Sequence, residues 1–281
     1  MQIIDHQSII GTENRGNYIA IPELDRLAPS VPQFIQLADL SIVLDKPTAF
    51  IYVDGFSTSQ SESGINTPSN NKYVPALKSG SSYAMHEWIN TFKGRNHLVH
   101  ANIVSSTCAA GIQAMHEADQ LLKYRVVEEV IIIGGERITG DTLRLFGELR
   151  IPITCGDGFF YLKLNNEISS NGYVVTDVKW KYKYQTNPFL FTQKTLDTLI
   201  PDYLVDFVKL HGTGTKSNIE GEIGLSRIGT PIIYKNTIGH TQGISSLLET
   251  CLVLKDENIK GAILVTANGL GGFYGSFTLT K

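Results

Sequence analysis

Cysteine is scarce in this chain, three among 281 residues. So few thiols exclude a disulfide framework, and an odd count leaves at least one of them free. Charge is thin as well, with 18% of residues Asp, Glu, Lys or Arg and a formal net charge of -3. That balance carries no basic footprint for nucleic acid. The hydrophobic share of 42% is too high for a disordered chain. Long apolar runs are missing: Val130-Ile131-Ile132-Ile133 is far short of the roughly 20 residues that cross a bilayer. The opening Met1-Gln2-Ile3-Ile4-Asp5-His6 lacks the basic start and apolar run of a signal peptide. The expectation is a cytoplasmic protein with no membrane span and no nucleic-acid partner. The length suits one large domain or two small ones.

What the chain does have is a set of short runs rich in Ile and Val, bounded by Gly or charge. They cover 49–53, 98–104, 129–134, 158–164, 173–178, 205–210, 230–234, 262–266 and 272–279. Each has the length of a strand, and continuous apolar runs are what strands covered on both faces show. Helical spacing of apolar residues marks 82–92, 109–127 and 245–255. No solenoid repeat is visible. Alternating strands and helices predict an α/β architecture. The polar, turn-rich stretch from Ser57 to Asn71 reads as a long surface loop.

Three segments carry candidate chemistry. In Ser105-Ser106-Thr107-Cys108-Ala109-Ala110-Gly111 a strand leads through small residues and a cysteine into a helix. A helix N-terminus stabilises a thiolate, and small neighbours leave room for a substrate. A free cysteine in such a place also behaves as a small buried hydrophobe. In His211-Gly212-Thr213-Gly214-Thr215 a histidine at a strand end enters a tight turn. Such a turn can cradle an anion or simply hold a neutral histidine by hydrogen bonds. In Lys235-Asn236-Thr237-Ile238-Gly239-His240 a second histidine follows a run, and its lysine could hold a carboxylate or a backbone carbonyl.

Together these segments set one thiol and two imidazoles at strand ends, a pairing suited to nucleophilic catalysis. The same residue types bind zinc. The spacing around them offers neither C-x-x-C nor H-x-x-x-H, so metal ranks below acyl chemistry and no metal or other cofactor is implied. His6, His86, His97, His100 and His116 lack small flexible neighbours and read as structural or surface residues. Cys155 and Cys251 read as structural too.

The order and wording of these segments resemble the β-ketoacyl synthases, condensing enzymes of the thiolase superfamily. Ser106 to Gly111 looks like the nucleophile segment. His211 to Thr215 matches the family phrase HGTGT letter for letter, and Lys235 to His240 looks like its K-S-N-I-G-H. Asn268-Gly269-Leu270-Gly271-Gly272 looks like the C-terminal G-F-G-G turn, and Gly156-Asp157-Gly158 like the G-E-G turn. Ile3 to Gly11 faintly resembles the opening strand and turn, and Glu222 falls where the family places a glutamate. The resemblance is strong from Asn102 onward.

What the resemblance implies is a thiolase-like five-layered α/β/α/β/α sandwich of two similar halves, with shortened lid regions. Residues 1–168 would form the half with the nucleophile, and 169–281 the half with both histidine motifs. Cys108 would accept an acyl group from an acyl carrier protein or a coenzyme A thioester. His211 and His240 would stabilise the enolate of a decarboxylating malonyl-type donor, giving a Claisen product in fatty acid or polyketide biosynthesis. The backbone of Cys108 and Leu270 would form the oxyanion hole, with Leu270 and Gly271 as the gate region. Lys235 would orient His240, and Glu222 would support from behind.

A homodimer, or a heterodimer with another synthase, is implied as well. Two departures stand out. The segment Lys216-Ser217-Asn218-Ile219 lacks the usual aspartate, which predicts a loosened loop contact, and Leu270 replaces a gating phenylalanine. The chain is shorter than its relatives before Cys108 and between Cys108 and His211. Shortened lids leave open a Cys108-dependent acyltransferase without elongation, or a chain-length-factor-like non-catalytic partner of a full-length synthase.

Overall fold

The computed structural model describes residues 1–25, 30–54, 81–148, 153–167, 172–184, 190–269 and 271–280. In chain order the elements are β1 (Gln2–Ile10), β2 (Glu13–Asn14), β3 (Tyr18–Ala20), α1 (Ser30–Ala38), β4 (Thr48–Asp54), α2 (Ser81–Thr91), β5 (Leu98–Val104), α3 (Ala110–Lys123), β6 (Glu129–Glu136), α4 (Gly140–Glu148), β7 (Cys155–Gly156), β8 (Gly158–Asn165) and β9 (Tyr173–Tyr182). There follow α5 (Gln193–Leu196), β10 (Phe207–Lys209), α6 (Lys216–Glu222), β11 (Thr230–Ile232), α7 (Lys235–Ile238), α8 (Ser245–Lys255), β12 (Ile263–Asn268) and β13 (Phe273–Thr280). The nine strand runs read from the sequence all contain strands. The predicted loop from Ser57 to Asn71 lies outside the described residues.

Ten strands hydrogen-bond in the order β11-β10-β12-β13-β9-β1-β8-β6-β4-β5. Numbered from its own first strand, each set of five follows the order 3-2-4-5-1. Directions repeat too: strands 2, 3 and 4 of each set run parallel, and strand 5 runs antiparallel between strands 4 and 1. Among the described residues, the two sets pair in register at Gln2 opposite Val174 and Ile3 opposite Tyr173, and the Val175 N–H donates to the Met1 carbonyl at 2.8 Å. Past that point β1 and β9 part, which is why β1 tolerates the polar stretch Asp5-His6-Gln7-Ser8 in the middle of the strand order.

The strand residues divide with the period of two that a pleated strand imposes. Ala49, Ile51, Val53, Val130, Ile132, Phe160, Leu162, Ile263 and Val265 face a central core. Phe50, Tyr52, Ile131, Ile133, Phe159 and Tyr161 face an outer core closed by Phe34 of α1 and Trp88 of α2. Val208 and Leu264 face the other outer core, closed by Leu196 and Leu225. The central core holds the helices α3 and α8, through Ile112, Met115, Leu247 and Leu248. The layers are therefore outer helices, five-stranded sheet, helix pair, five-stranded sheet and outer helices. That is the five-layered α/β/α/β/α architecture expected.

The repeat reaches into the turns that start the central helices. Thr107 and Gln242 are non-glycine residues at φ 52 and φ 51. Each opens a 3₁₀ turn, Thr107–Ala109 and Gln242–Ile244, that runs straight into α3 or α8. In this correspondence Cys108 is matched by Gly243. A Cβ built on Gly243 would lie 2.7 Å from the Asp54 carbonyl oxygen and 3.1 Å from that of Thr107. A side chain is thus excluded on one turn so that the other can approach it. Gly243→Ala is expected to cost about 1–3 kcal/mol of folding stability, the usual toll of overpacking, read as a lowered urea midpoint. An unchanged midpoint would contradict this close approach.

Candidate active site

The nucleophile turn is held from below by the C-terminal glycines. A Cβ on Gly269 would lie 3.1 Å from the Cys108 backbone nitrogen and 3.0 Å from that of Ala109, and would also meet the Thr107 hydroxyl. Only a glycine leaves the amide edge of this turn open. The Gly269 N–H donates to the Phe273 carbonyl at 2.8 Å, and Gly271 sits at φ 86. Leu270, the expected oxyanion and gate residue, lies outside the described residues. Thr107 occupies the left-handed region, a strain of roughly 1–2 kcal/mol for a non-glycine residue, and the strained position directly precedes the cysteine.

Both histidines are fixed through their backbones. The Glu222 carboxylate accepts the N–H groups of His211 at 2.7 Å and Gly212 at 3.0 Å. For His240, the N–H donates to the Thr154 carbonyl at 2.7 Å and the carbonyl accepts from Gly156 at 3.1 Å. With backbones held, the side chains converge. Cys108 Sγ lies 3.2 Å from His240 Nε2. The two imidazole rings meet edge to face with centroids 5.5 Å apart. One ligand atom each from Cys108, His211 and His240 falls within 4.8 Å of the others, and all three residues are buried. Phe146 of α4 packs its ring on His240 at 6.0 Å.

Behind the histidines lies a buried ion cluster. Lys209 Nζ donates to Glu249 Oε2 at 2.6 Å and Lys235 Nζ to Glu249 Oε1 at 2.7 Å, with every side chain 0–1% exposed. Burial alone would raise the Glu249 carboxyl, but Lys209 and then Lys235 outweigh it and hold it below its ordinary value. Burial holds both histidines well below the usual imidazole range. Lys235 adds to this at both rings, as does Lys209, and His240 adds to it at His211. Both imidazoles are therefore neutral at physiological pH. Burial also pushes the Cys108 thiol up to about 11, against the pull of Lys235 and of its own backbone N–H. The expected thiolate at the helix N-terminus is corrected accordingly: desolvation outweighs these favourable terms, and the resting pair is thiol and neutral imidazole.

Of the residues marked from the sequence, Cys108, His211 and His240 come together, and Glu222 supports the first histidine as described. Lys235 Nζ donates to Glu249, as in its lysine–carboxylate alternative, and the Lys235 carbonyl accepts the Gly239 N–H next to His240 at 3.1 Å. The expected loosened loop is a second correction. Asn218 Oδ1 accepts the Thr213 N–H at 2.7 Å, and Thr215 caps α6 through the Asn218 N–H, so the asparagine ties the turn without an aspartate. Cys155 and Cys251 are buried free thiols. A soft cation would find one sulfur and two ring nitrogens here, but the two lysine charges oppose it.

Lys209, Glu249, Ser245 and Phe146 were not marked from the sequence. Lys209 did carry a signal, a charge set between the apolar Val208 and Leu210, and so did Glu249, which follows Leu247 and Leu248 on the helix 245–255.

The buried histidines link stability to pH. Their folded values are depressed, so below about 6.5 the unfolded chain binds protons that the folded chain refuses. Each histidine then removes at most about 1.4 kcal/mol per pH unit of acidification. Urea unfolding of the wild type should therefore lose more stability between pH 7.5 and 5.5 than that of a His211→Gln, His240→Gln double variant. Equal losses would contradict the neutral assignment.

No protein-family model and no curated protein matches the sequence. Solved structures do match. The ishigamide ketosynthase/chain length factor aligns over 85% of this chain and 74% of its own, at 13% identity and TM-score 0.64. The ketosynthase from module 6 of the bacillaene synthase of Bacillus subtilis 168 aligns over 83% of this chain and 54% of its own, at 13% identity and TM-score 0.60. A chain of AntDE:AntF, a type II polyketide acyl-carrier protein in complex with its ketosynthase bound to the hexaketide, aligns over 92% of this chain and 86% of its own, at 13% identity and TM-score 0.60. The chain thus spans about half the length of the bacillaene ketosynthase. The layers, the repeated strand order and these likenesses agree: the chain has the thiolase-like fold of the ketosynthases.

Proposed function

We propose that this chain is a condensing enzyme of the β-ketoacyl synthase type, working in fatty acid or polyketide biosynthesis. The observation that carries the reading is the buried thiol of Cys108, 3.2 Å from the Nε2 of a neutral His240, with a second neutral imidazole against it. In the first half-reaction His240 Nε2 takes the thiol proton as Cys108 Sγ attacks a thioester carbonyl. The oxyanion meets the Cys108 N–H, left open by Gly269, with the Leu270 N–H as its partner donor in this reading. The carrier's C–S bond breaks, and its thiolate takes the proton from Nε2.

In the second half-reaction His211 and His240 donate N–H groups to the thioester carbonyl of a malonyl-type donor. The bond to the carboxylate breaks, carbon dioxide leaves, and the electron pair forms an enolate. The enolate carbon attacks the acyl-Cys108 carbonyl and releases the thiolate, which takes a proton from solvent. The charge of Lys209 and Lys235 favours the developing negative charge in a site shielded from water.

The donor is an acyl carrier protein or coenzyme A thioester, a reading supported by the carrier-protein complex among the structural likenesses. A two-half chain dividing near residue 168 is part of the proposal, supported by the repeated strand order. Association with a second copy or another synthase is also part of it. Its support is the strand β5, which lies at the end of the strand order among the described residues with Val99 57% exposed, since strand edges invite pairing. Retention of Cys108 within reach of His240 speaks for catalysis over a non-catalytic partner.

Intact-protein mass spectrometry with a panel of acyl thioesters tests the reading. One acyl mass is expected on the wild type and none on Cys108→Ala. Absence of any adduct across the panel, or equal labelling of the variant, would overturn it.

A further inference from the structure

The reaction proposed above asks opposite things of one ring nitrogen. During acylation His240 Nε2 must be bare to accept the Cys108 proton. During decarboxylation it must carry hydrogen to donate to the donor's carbonyl. A neutral imidazole has a single N–H, so whichever group faces Nδ1 decides which task is favoured. A backbone carbonyl there would fix the proton on Nδ1, and a backbone N–H would fix it on Nε2.

Here the facing group is a hydroxyl. Ser245 Oγ, the first side chain of α8, lies 3.0 Å from His240 Nδ1. It accepts the Thr241 N–H at 3.2 Å and lies 3.1 Å from Thr241 Oγ1. Thr241 and Ser245 are 0% exposed and His240 is 3% exposed. A serine hydroxyl has one hydrogen and two lone pairs. The Thr241 N–H occupies one lone pair, which leaves one hydrogen and one lone pair for two neighbours, His240 Nδ1 and Thr241 Oγ1.

Two arrangements satisfy them. With the Ser245 hydrogen on Thr241 Oγ1, the free lone pair accepts Nδ1–H and Nε2 is bare. With the Ser245 hydrogen on Nδ1, the lone pair accepts Thr241 Oγ1–H and Nε2 carries the proton. The ring holds one proton in both, exchanged with solvent between the half-reactions. His211 has no such device: its buried Nδ1 has no hydrogen-bond partner among the described residues.

We infer that Ser245, with Thr241 behind it, is a positioning residue that lets His240 serve as proton acceptor in one half-reaction and as hydrogen-bond donor in the other. The inference rests on the condensing reading for its purpose, but the two-tautomer behaviour can be read without any substrate.

The test labels the histidines with ¹⁵N and reads the His240 ring nitrogens by NMR, before and after alkylation of Cys108 with iodoacetamide. Alkylation removes the thiol hydrogen and puts an amide carbonyl near Nε2. The wild type should change from the Nδ1–H form to the Nε2–H form. Thr241→Val leaves the Ser245 hydrogen only Nδ1 to serve, so this variant should show the Nε2–H form in both states. The ratio of its Cys108 acylation rate to its malonyl-thioester decarboxylation rate should fall about tenfold, on the scale of one buried hydrogen bond.

The same tautomer in the wild type before and after alkylation would overturn the inference, with no variant needed. So would a Thr241→Val protein with the wild-type pattern, or with an unchanged rate ratio. A tautomer change in a protein that no thioester acylates would support the two-state hydroxyl and sink the condensing reading instead.

Discussion

Two ammonium groups share one carboxylate beneath the site, and three segments of the chain are tied there. Lys209 ends the strand that delivers His211, Lys235 opens the short helix that delivers His240, and Glu249 lies on the central helix that begins with Ser245. Stripping such ions of water costs several kcal/mol each. Two short charge-assisted bonds offset part of that, and removal of Glu249 would leave two buried positive charges facing each other. Burial holds both imidazoles neutral, and the positive bias of the cluster adds to it. At Cys108 burial dominates and raises the thiol; Lys235 of the cluster pulls it downward and Glu249 pushes it up. Neutral histidines and a protonated thiol are the starting state that the chemistry requires.

The repeated fold explains how such a site arises between two sets of strands. Each set starts its buried helix from a 3₁₀ turn opened by a left-handed residue, Thr107 in one and Gln242 in the other. One turn carries the cysteine, and the other carries a glycine that makes room for it. The histidines come from the second set, on loops held by Glu222 and by the backbone of Thr154 and Gly156. Nucleophile and imidazoles therefore meet across the central layer, and neither set holds a complete site.

Much of this was legible in the sequence. Strands buried on both faces wrote themselves as unbroken Ile and Val runs. The amphipathic helices were plain, and the motif phrases marked Cys108, His211, His240, Lys235 and Glu222. The helix Ser30–Ala38 was missed because Pro32 sits within its first turn, and Gly140–Glu148 because it opens on glycine and is mostly polar. The strand order escaped because nothing in β1 tells that two sheets part along it. Pairing of Lys209 with Glu249 could not be read, since a charge between apolar neighbours shows that a partner is needed and not where it lies. The state of Cys108 was misjudged for the same reason: a helix N-terminus is visible in sequence, whereas full desolvation is a property of the fold.

The central claim is that a neutral imidazole pair beside a buried thiol carries out decarboxylative condensation. Its most direct test is single turnover of S-acylated wild-type protein with a malonyl thioester carrying a labelled free carboxylate. Labelled carbon dioxide should appear in step with a product lengthened by one ketide unit, as the acyl mass leaves Cys108. Loss of the acyl group to another acceptor with no labelled carbon dioxide released would contradict the account.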